Sequence, residues 1–381
     1  MKIRFLMLSA YNVGGAIRSM LNQANALAEA GHDVEVVSLF RRNKRPAFHV
    51  DRRITMRTLI NERRGPRHRF IYGLLARYGS RAIPKDEPRY TRFSLASDLV
   101  LRRYLGSLRD GVVIAGRPAL NIVVARYAPS GVVRIGEDHL NFRTYRPGLV
   151  AAMRKWYPKL DAVTVLTKET AAAYERELGP GVRTELLPNM VPTAGAARAP
   201  LDNRVIVAAG RLTKQKGFDL LIDAYARVAR RHPDWELRIF GSGILKDDLA
   251  KRIADKDLTG HVRLMGQTKK LHDELAAASI YVLSSRFEGF PMVLLEAMTH
   301  GLPVVAYDCY TGPADILTDG YDGVLVKPRD RRALARALSD LIADPDRRRA
   351  LGAHALETVA EYDTSRITPK LAKLFADLGA R

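Results

Sequence analysis

Residues 2–40 read KIRFLMLSAYNVGGAIRSMLNQANALAEAGHDVEVVSLF, and this stretch decides the fold class. Its first nine residues form an apolar run that ends in small side chains, which is typical of a buried parallel strand. Gly14 and Gly15 follow, and apolar residues then recur at helical spacing until Gly31 ends the predicted helix. The last eight residues predict a second strand. The order strand, glycine turn, helix, strand predicts the beginning of a Rossmann-like domain.

The alternation of strands and helices continues along the chain and begins again after a segment rich in proline and small residues, 187–203. Strands separated by helices imply parallel pairing. We therefore predict an α/β protein with two doubly wound, Rossmann-like domains: residues 1–190, a linker over 191–203, and residues 204–365. A C-terminal helix over 366–381 is expected to return to the first domain. Ligands bind such domains at the carboxyl ends of the strands, so the cleft between the two domains is the expected active site.

The composition favours a globular protein of a reducing compartment. The chain has 381 residues and a single cysteine, Cys309, so it forms no internal disulfide. The N-terminus lacks the longer apolar run of a secretory signal, and no segment approaches the roughly 18 apolar residues of a membrane span. We expect a cytoplasmic protein, with at most a peripheral contact at the inner face of the cell membrane.

The positive charge of the chain is unevenly distributed. Residues 1–200 carry 34 Lys and Arg against 16 Asp and Glu, whereas residues 201–381 carry 28 against 25. The excess is densest over 41–70. Such an excess attracts polyanions or an anionic membrane surface. The alternative is a solvated, arginine-rich surface that reflects genomic composition alone. No nucleic-acid partner is expected.

Two short segments have residues suited to phosphate binding. In AAGRLTKQKGFDLLI, residues 208–222, Arg211 and Lys216 follow the end of a predicted strand, where two cations suit a diphosphate. The alternative is two surface cations on a connection. Gly14 and Gly15 allow close approach of the backbone, and the helix start supplies free N–H groups. A plain tight turn explains these two glycines equally well.

Two glutamates eight positions apart lie in SSRFEGFPMVLLEAMTHG, residues 284–301. Pro291 is suited to the first position of a helix. Glu288 then lies in the preceding loop and Glu296 lies more than one turn into the helix, where both carboxylates can accept hydrogen bonds from sugar hydroxyls. The alternatives are a glutamate favoured by the helix dipole beside an incidental polar residue, or the acid–base pair of a glycosidase.

Five segments together resemble one enzyme family. The segments are FEGFPMVLLEAMTHGLPVVA at 287–306, GRLTKQKGFDLLI at 210–222, LPNMV at 187–191, TGPADILTDGYDGVLV at 311–326, and NVGGAIRSMLNQANALAEAGHDVEVVS at 12–38. They are similar to the retaining glycosyltransferases of family four, which have two Rossmann-like domains facing a cleft (the GT-B type). The resemblance implies that the N-terminal domain binds the acceptor and the C-terminal domain binds a nucleotide sugar.

The resemblance also assigns roles to single residues. Arg211 and Lys216 would hold the donor diphosphate, Glu296 the ribose, and Glu288 the hydroxyls of the transferred sugar. Gln267 to Leu271 would lie beside the base, and backbone amides at helix starts would contact phosphate. The complete implied donor set is Gly14, Gly15, Arg211, Lys216, Gln267, Leu271, Glu288, Gly289, Phe290, Met292, Val293 and Glu296.

One histidine follows the predicted strand GVVRI in GEDHLNF. In similar enzymes a histidine at this place lies near the C6 hydroxyl of the sugar and the reacting bond, so the resemblance makes His139 and Glu288 the catalytic residues. A structural histidine is the alternative. The acceptor contacts expected from this region and from the basic segment are Glu137, Asp138, Arg63, Arg64 and Arg67.

The predicted activity is retaining transfer of a hexosyl or N-acetylhexosaminyl group from a UDP-sugar to a hydroxyl of an anionic acceptor. A cell-envelope polymer, a peptide or protein, and a lipid-linked molecule all fit the acceptor. No metal or other cofactor is expected, because Arg211, Lys216 and helix dipoles supply positive charge and no Asp-x-Asp lies in a suitable turn. A nucleotide-sugar epimerase of the same fold and a non-catalytic polyanion-binding protein are the alternatives.

Overall fold

The structure, a computed structural model, describes residues 1–63 and 73–380. Contacts divide this part of the chain into two units. The first comprises Met1–Met190 together with the segment from Thr364 onward, and the second comprises Val191–Asp363. Each unit is a parallel sheet with helices packed on it, so the predicted α/β class with two Rossmann-like domains is confirmed. Residues 191–203, predicted as a linker, lie within the second unit.

The first unit is built on a sheet of seven parallel strands in the order β3-β2-β1-β4-β5-β6-β7. Successive strands are added on one side of β1 up to β3 and on its other side from β4 onward, so the strand order reverses between β1 and β4. Doubly wound domains bind ligands at this position. The strands are β1 (Lys2–Met7), β2 (Asp33–Arg41), β3 (Thr55–Asn61), β4 (Val112–Ala115), β5 (Val133–Asp138), β6 (Ala162–Val165) and β7 (Thr184–Leu186). Its first five described helices are α1 (Gly15–Glu29), α2 (Leu95–Gly106), α3 (Pro118–Tyr127), α4 (Pro147–Trp156) and α5 (Lys168–Leu178).

The second unit repeats this topology with six parallel strands in the order β10-β9-β8-β11-β12-β13. Here the reversal falls between β8 and β11. The strands are β8 (Val205–Ala209), β9 (Glu236–Phe240), β10 (Val262–Gly266), β11 (Ile280–Leu283), β12 (Val304–Tyr307) and β13 (Gly323–Val326). The helices are α6 (Phe218–Arg231), α7 (Lys246–Ala254), α8 (Leu271–Ala276), α9 (Met292–Thr299), α10 (Pro313–Ile316), α11 (Arg331–Ala343) and α12 (Pro345–Ala360).

The last helix, α13 (Thr364–Asp377), belongs to the first unit and packs against α1. Its Ile367, Leu371 and Phe375 are fully buried in the hydrophobic cluster that also contains residues of β1 and α1. The apolar residues of α13 recur every three or four positions, so one stripe of the helix is buried and the rest faces solvent.

Three local features differ from, or fall outside, the sequence predictions. Pro291 was predicted as the first residue of a helix, but α9 begins at Met292, because Pro291 has an extended ψ of 93° and occupies the N-cap. Gly14 has an extended φ of 168°, which does not itself require glycine. Arg64 and Arg67 lie outside the described residues.

None of the helices in residues 1–63 and 73–380 is long and apolar enough to cross a bilayer. The cytoplasmic location and the peripheral membrane contact stay predictions.

Candidate active site

A buried ion pair lies at the carboxyl edge of the second sheet, where the loops after β8 and β11 meet. Lys216 Nζ donates a hydrogen bond to Glu288 Oε1 over 2.6 Å, and the Ser285 hydroxyl donates to the same oxygen. The two charged side chains are 15% and 7% exposed. A pair this deeply buried requires both partners, because removing one leaves an uncompensated charge in a medium of low dielectric constant.

Two glycines allow the Lys216 loop to take this path. The side chain of Lys216 packs over Gly210, where an added Cβ would lie 3.1 Å from the lysine Cδ and Cε atoms. Gly217 has a φ of +64°, and a Cβ there would lie 2.1 Å from the carbonyl oxygen of Ser284. The loop after β8 therefore approaches the loop after β11 more closely than any larger residue would permit.

Arg211 is exposed, and a glutamine connects it to the Glu288 loop. Its Nη2 donates to Gln215 Oε1 over 3.2 Å, and Gln215 Nε2 donates to the carbonyl oxygen of Phe287 over 3.1 Å. Gln215 was not among the predicted site residues. Its position in the sequence could have identified it, because a polar residue between Arg211 and Lys216 lies in the same loop as these two cations.

A second glycine loop was also missed. Gly241 and Gly243 follow β9, and the sequence analysis did not assign this segment to a site. An added Cβ would lie 1.8 Å from the carbonyl oxygen of Gly210 at the first position and 2.3 Å from that of Leu212 at the second. The Leu212 amide donates to the Ser242 carbonyl oxygen over 2.9 Å. The pattern Gly-Ser-Gly directly after a strand signalled this close backbone contact, which supports the Arg211 loop.

Glu296 lies in the second turn of α9 and is only 1% exposed. The hydroxyl of Tyr281, on β11, is affected by the charges of both Glu296 and Glu288. Burial, followed by the negative charges of Glu288 and then Glu296, raises the pKa of the Tyr281 hydroxyl well above its usual range. Both carboxylates therefore lie near enough to this one buried phenol to disfavour its ionisation.

The loop between β12 and α10 holds the backbone of the Glu288 segment. The Glu288 amide donates to the Tyr310 carbonyl oxygen over 3.0 Å, and the Thr311 hydroxyl donates to the carbonyl oxygens of Glu288 and Gly289 over 3.0 and 3.2 Å. Gly312 has a φ of +102°, and a Cβ there would lie 2.7 Å from Pro291 Cδ. The TGP segment at 311–313 therefore supports the backbone of the glutamate motif.

The remaining predicted donor residues of this unit occupy varied environments. Phe290 is buried and its ring packs 5.8 Å from that of Tyr362, centroid to centroid. Met292 is buried and Val293 half-buried in the first turn of α9. Gln267 is exposed after β10, and Leu271 is the first residue of α8. Their contacts with a base or a phosphate stay predictions.

In the first unit, a buried carboxylate and a histidine meet at the carboxyl end of β5. The Nε2 atom of His139 lies 3.1 Å from Glu137 Oε2, and the side chains are 4% and 2% exposed. Within the described ranges, His139 Nδ1 and Glu137 Oε1 have no hydrogen-bond partner in the protein. A buried polar atom without a partner is costly, so this pair offers one nitrogen and one oxygen to a ligand.

Asp138 lies between these residues in the sequence but has a different environment. The hydroxyls of Tyr145 and Tyr174 donate to its two carboxylate oxygens, and the Leu140 amide adds a bond of 3.1 Å. Burial raises the pKa of Asp138, and the two tyrosine bonds oppose that rise. Both carboxylate oxygens of Asp138 are therefore hydrogen-bonded within the unit, which favours a structural role over a contact with a ligand.

The other predicted residues of the first unit lie on its surface. Gly14 is the N-cap of α1 and its carbonyl oxygen accepts from the Arg18 amide over 3.0 Å. Gly15 begins the helix and is exposed. Arg63 is exposed at the end of the first described range, where its amide donates to Asn61 Oδ1 over 3.1 Å. Phosphate contacts of the glycines and acceptor contacts of Arg63 stay predictions.

The described residues contain no group of three or more His, Cys, Asp and Glu side chains that could hold a metal ion. The expectation that no metal is required rests on the cations of the second unit and is tested below.

Two family models match the chain in succession. The model described as Glycosyltransferase Family 4 matches residues 13–194, and the model described as Glycosyl transferases group 1 matches residues 195–358. An exopolysaccharide phosphotransferase of Streptomyces coelicolor is 36% identical, with the match covering 100% of this chain and 41% of the relative. An uncharacterized glycosyltransferase of Haemophilus influenzae is 28% identical, with 91% of each chain covered. The chain thus spans less than half the length of the Streptomyces relative.

The solved structures show the same fold. The crystal structure of a G117R mutant of TarM from S. aureus, in complex with Fondaparinux, alpha-GlcNAc-glycerol and UDP, has a TM-score of 0.81 at 19% identity and covers 98% of this chain and 100% of that one. Fold and family matches together define a glycosyltransferase of the GT-B type. The chain belongs to glycosyltransferase family 4. The predicted family and enzyme class are confirmed, and neither the epimerase nor the non-catalytic alternative gains support.

Proposed function

We propose that this chain transfers a sugar from a UDP-sugar to a hydroxyl group of an anionic acceptor, with retention of configuration at the anomeric carbon. The observation that carries the proposal is the buried pair of Lys216 and Glu288, which lies at the topological reversal of the second sheet. Arg211 is connected to the Glu288 loop through Gln215. This edge is where doubly wound domains bind ligands. The cations there suit the diphosphate of a nucleotide sugar, and the carboxylates suit the hydroxyls of its sugar and ribose.

The cations suit the diphosphate of the donor. Arg211 presents an exposed guanidinium, which can bind phosphate oxygens bidentately, and Lys216 supplies a compact ammonium. Lys216 has donor capacity left beyond its bond to Glu288, because an ammonium carries three N–H groups. Glu288 and Glu296 are acceptors suited to the hydroxyls of the sugar and the ribose. The choice of UDP is supported by the UDP bound in the TarM crystal.

The proposed reaction breaks one bond and forms one. The bond between the anomeric carbon and the diphosphate oxygen breaks, and the acceptor hydroxyl oxygen bonds to the same face of that carbon. The acceptor proton passes to the departing phosphate oxygen. Arg211 and Lys216 stabilise the negative charge that develops on the diphosphate, which is the largest expected contribution to catalysis. His139, with its unpartnered Nδ1, is assigned to a sugar hydroxyl.

The acceptor is proposed to be anionic because the first 200 residues hold almost all of the charge excess. In the described part of that region, Arg42, Lys44 and Arg45 are exposed in one loop after β2. Arg42 Nε lies 3.4 Å from Glu62 Oε2, whereas Lys44 and Arg45 form no ion pair with another described residue. A cluster of cations steers an anionic polymer toward the protein. The name of the Streptomyces relative, an exopolysaccharide phosphotransferase, supports a polymer of the cell envelope.

A panel of nucleotide sugars tests the donor. A ligand that binds only the folded state raises the melting temperature with concentration, so one UDP-sugar should stabilise the protein more than its GDP and ADP counterparts. Incubation of that donor with envelope polymers should then add a sugar mass to the polymer. An added phosphosugar mass, or conversion of the donor in the absence of acceptor, would contradict sugar transfer.

The same assay tests stereochemistry and metal dependence. The anomeric proton coupling of the product, measured by NMR, should match that of the donor. Activity should survive dialysis against EDTA, since Arg211 and Lys216 supply the positive charge. An inverted anomer, or activity restored only by a divalent cation, would refute the corresponding part of the proposal.

Salt dependence tests the acceptor. We expect the acceptor KM to rise steeply between low and physiological salt while the donor KM changes little, because exposed charges are screened more than buried ones. Replacing Arg42, Lys44 and Arg45 with glutamate should raise the acceptor KM only. A matched variant that reverses Arg102, Arg103 and Lys159, three exposed cations of the same unit that form no ion pair with a described residue, separates this effect from net charge. Equal effects of both variants would leave the basic loop with a role in solubility alone.

A further inference from the structure

Five arginines line a surface pocket between two helices of the second unit. The pocket has a volume of about 370 Å³ and a floor that includes Ala335 and Ser339. Both floor residues are buried. The arginines all have exposed side chains; Arg227, Arg230 and Arg231 belong to α6, and Arg332 and Arg336 belong to α11. The second unit is nearly neutral as a whole, so this concentration of positive charge is a local feature.

The described chain offsets the charge of the pocket only in part, through the Asp330 carboxylate at the N-cap of α11, which interacts electrostatically with Arg336. None of the five guanidinium groups forms an ion pair with a described residue. The nearby carboxylate of Asp223 is paired instead with Arg252, Lys256 and Arg331. Among the described residues, the guanidinium groups of the pocket form one hydrogen bond, a long contact of 3.4 Å from Arg227 Nη1 to the Asp223 carbonyl oxygen.

The arrangement carries an electrostatic cost that a ligand would remove. Arg227 and Arg231 are four residues apart on α6, and Arg332 and Arg336 are four apart on α11, so each helix places like charges on one face. Arg332 also lies in the first turn of α11, where the helix dipole disfavours a cation; the acidic residue at this helix start is the N-cap, Asp330, whose carboxylate accepts from the backbone amides of Arg332 and Ala333. An anion in the pocket would relieve all of these repulsions at once.

The pocket is distinct from the candidate active site. The α6 helix starts at the carboxyl edge of the sheet, beside Lys216, and Arg227 lies nine residues further on. At 1.5 Å per residue this is about 14 Å along the helix axis. None of the pocket residues belongs to the loops that hold Lys216, Arg211 or Glu288.

We propose that this pocket binds a compact anion that carries two or more phosphate groups. The planar guanidinium fork matches pairs of phosphate oxygens, and the volume lies in the range of small-ligand sites. A single monoanion would leave most of five positive charges unbalanced. The same chemistry is offered by a free polyphosphate and by a lipid headgroup with two phosphates.

Calorimetry with inorganic tripolyphosphate tests the pocket. The variant Arg227→Gln/Arg231→Gln/Arg336→Gln should weaken binding at least tenfold. The matched variant Arg198→Gln/Lys251→Gln/Arg366→Gln removes three exposed cations elsewhere and should change binding less than twofold. The Lys216→Ala protein should retain this binding, because its lost cation belongs to the other site. Melting temperatures verify that each variant is folded.

Sedimentation with vesicles identifies the source of the phosphate groups. Vesicles of phosphatidylcholine with cardiolipin, whose headgroup carries two phosphates, are compared with phosphatidylcholine alone. If the pocket variant loses cardiolipin binding and the matched variant does not, the site recognises a headgroup; if only tripolyphosphate binding is lost selectively, it recognises a free polyphosphate. Equal losses in the pocket and matched variants, or tripolyphosphate binding that disappears with Lys216→Ala and survives in the pocket variant, would overturn the proposal.

Discussion

The carboxyl edges of the two sheets share a topology and differ in chemistry. At the edge of the second sheet, the buried Glu288 is matched by a cation, Lys216, from a neighbouring loop. At the edge of the first sheet, the buried Glu137 is matched by His139 from its own segment, and Asp138 is matched by two tyrosines. The second edge therefore holds full positive charges for a diphosphate. The first holds polar groups suited to neutral hydroxyls.

This difference teaches that the reversal of strand order supplies a place for a ligand, whereas the loops supply its chemistry. Both sheets reverse after their first strand, at β1 and β4 and at β8 and β11. Within the described ranges, the second edge alone has glycine pairs that bring the backbones of three loops into contact. We call the edge with Lys216 and Arg211 the charged edge, and the edge with His139, whose polar groups suit neutral hydroxyls, the neutral edge. The predictions below test this division.

The largest effect is expected when the charged edge is broken. Glu288→Ala and Lys216→Ala should each lower kcat/KM about a hundredfold or more, because each removes charge-assisted bonds and leaves a buried charge without its partner. Steady-state kinetics on both variants and on the double variant measure this loss. The double variant should lose less than the sum of the single losses, since the two residues act as a unit.

Lys214→Ala is the matched control for the charged edge. Lys214 lies two residues from Lys216 in the same loop and its side chain is exposed, so activity should stay within about twofold of the unmodified protein. Near-normal kcat/KM in Glu288→Ala would exclude this edge as the reacting site.

The second prediction concerns the other glutamate. Glu296→Ala should lower kcat/KM about ten- to a hundredfold through the loss of one or two hydrogen bonds to a charged acceptor. The loss should be expressed mainly as weaker donor binding, since a ribose contact exists in both ground and transition states. Calorimetry with the free nucleotide diphosphate measures it, and unchanged affinity would place the ribose elsewhere.

The third prediction compares the exposed cation with the neutral edge. Arg211→Ala should weaken binding of the free nucleotide diphosphate about tenfold. His139→Ala should leave that affinity unchanged and lower kcat about tenfold, because the residue is assigned to the transferred sugar. A fall in diphosphate affinity in His139→Ala, equal to that in Arg211→Ala, would abolish the distinction between the two edges.

The last prediction concerns stability, because substitution of Asp223 or Asp138 should have the smallest effect on catalysis. The pKa values of these two aspartates are shifted in opposite directions. Burial opposes ionisation of Asp223, but its bonds to Arg252 and Arg331 prevail and lower its pKa to about 2. Its stabilising contribution, about 2 kcal/mol for a shift of this size, is present above its unfolded pKa and is lost as pH falls toward 2. The destabilisation caused by Asp223→Asn should therefore shrink as pH falls.

Asp138 should show the opposite dependence. Its raised pKa means that the folded state holds the proton more tightly than the unfolded state, so its contribution is present at low pH and is lost as pH rises through the raised value. The stability difference between the unmodified protein and Asp138→Asn should thus shrink as pH rises. Urea unfolding at a series of pH values measures both slopes. Slopes of the same sign would show that one of the two environments is wrongly described.

Local patterns predicted most of the secondary structure and much of the charged edge. Strand and helix follow from apolar periodicity because their hydrogen bonds join nearby residues or follow a regular register. The segments around Glu288 and Lys216 were recognisable because they resemble motifs of a known glycosyltransferase family. Gln215 and the Gly241–Gly243 loop were missed, since their importance lies in contacts with segments distant in the sequence.

The sequence by itself determined the two α/β domains, the family and the candidate residues, because these depend on periodicity and on short motifs. Only the tertiary structure decided that Lys216 contacts Glu288 across 72 positions, that Asp138 meets two tyrosines while its neighbours Glu137 and His139 meet each other, and that five arginines of two helices share one pocket. The physical reason is that a side chain's partner depends on which strands pair and which helices pack together. Those choices are made by the burial of the whole core, and no local stretch of sequence contains them.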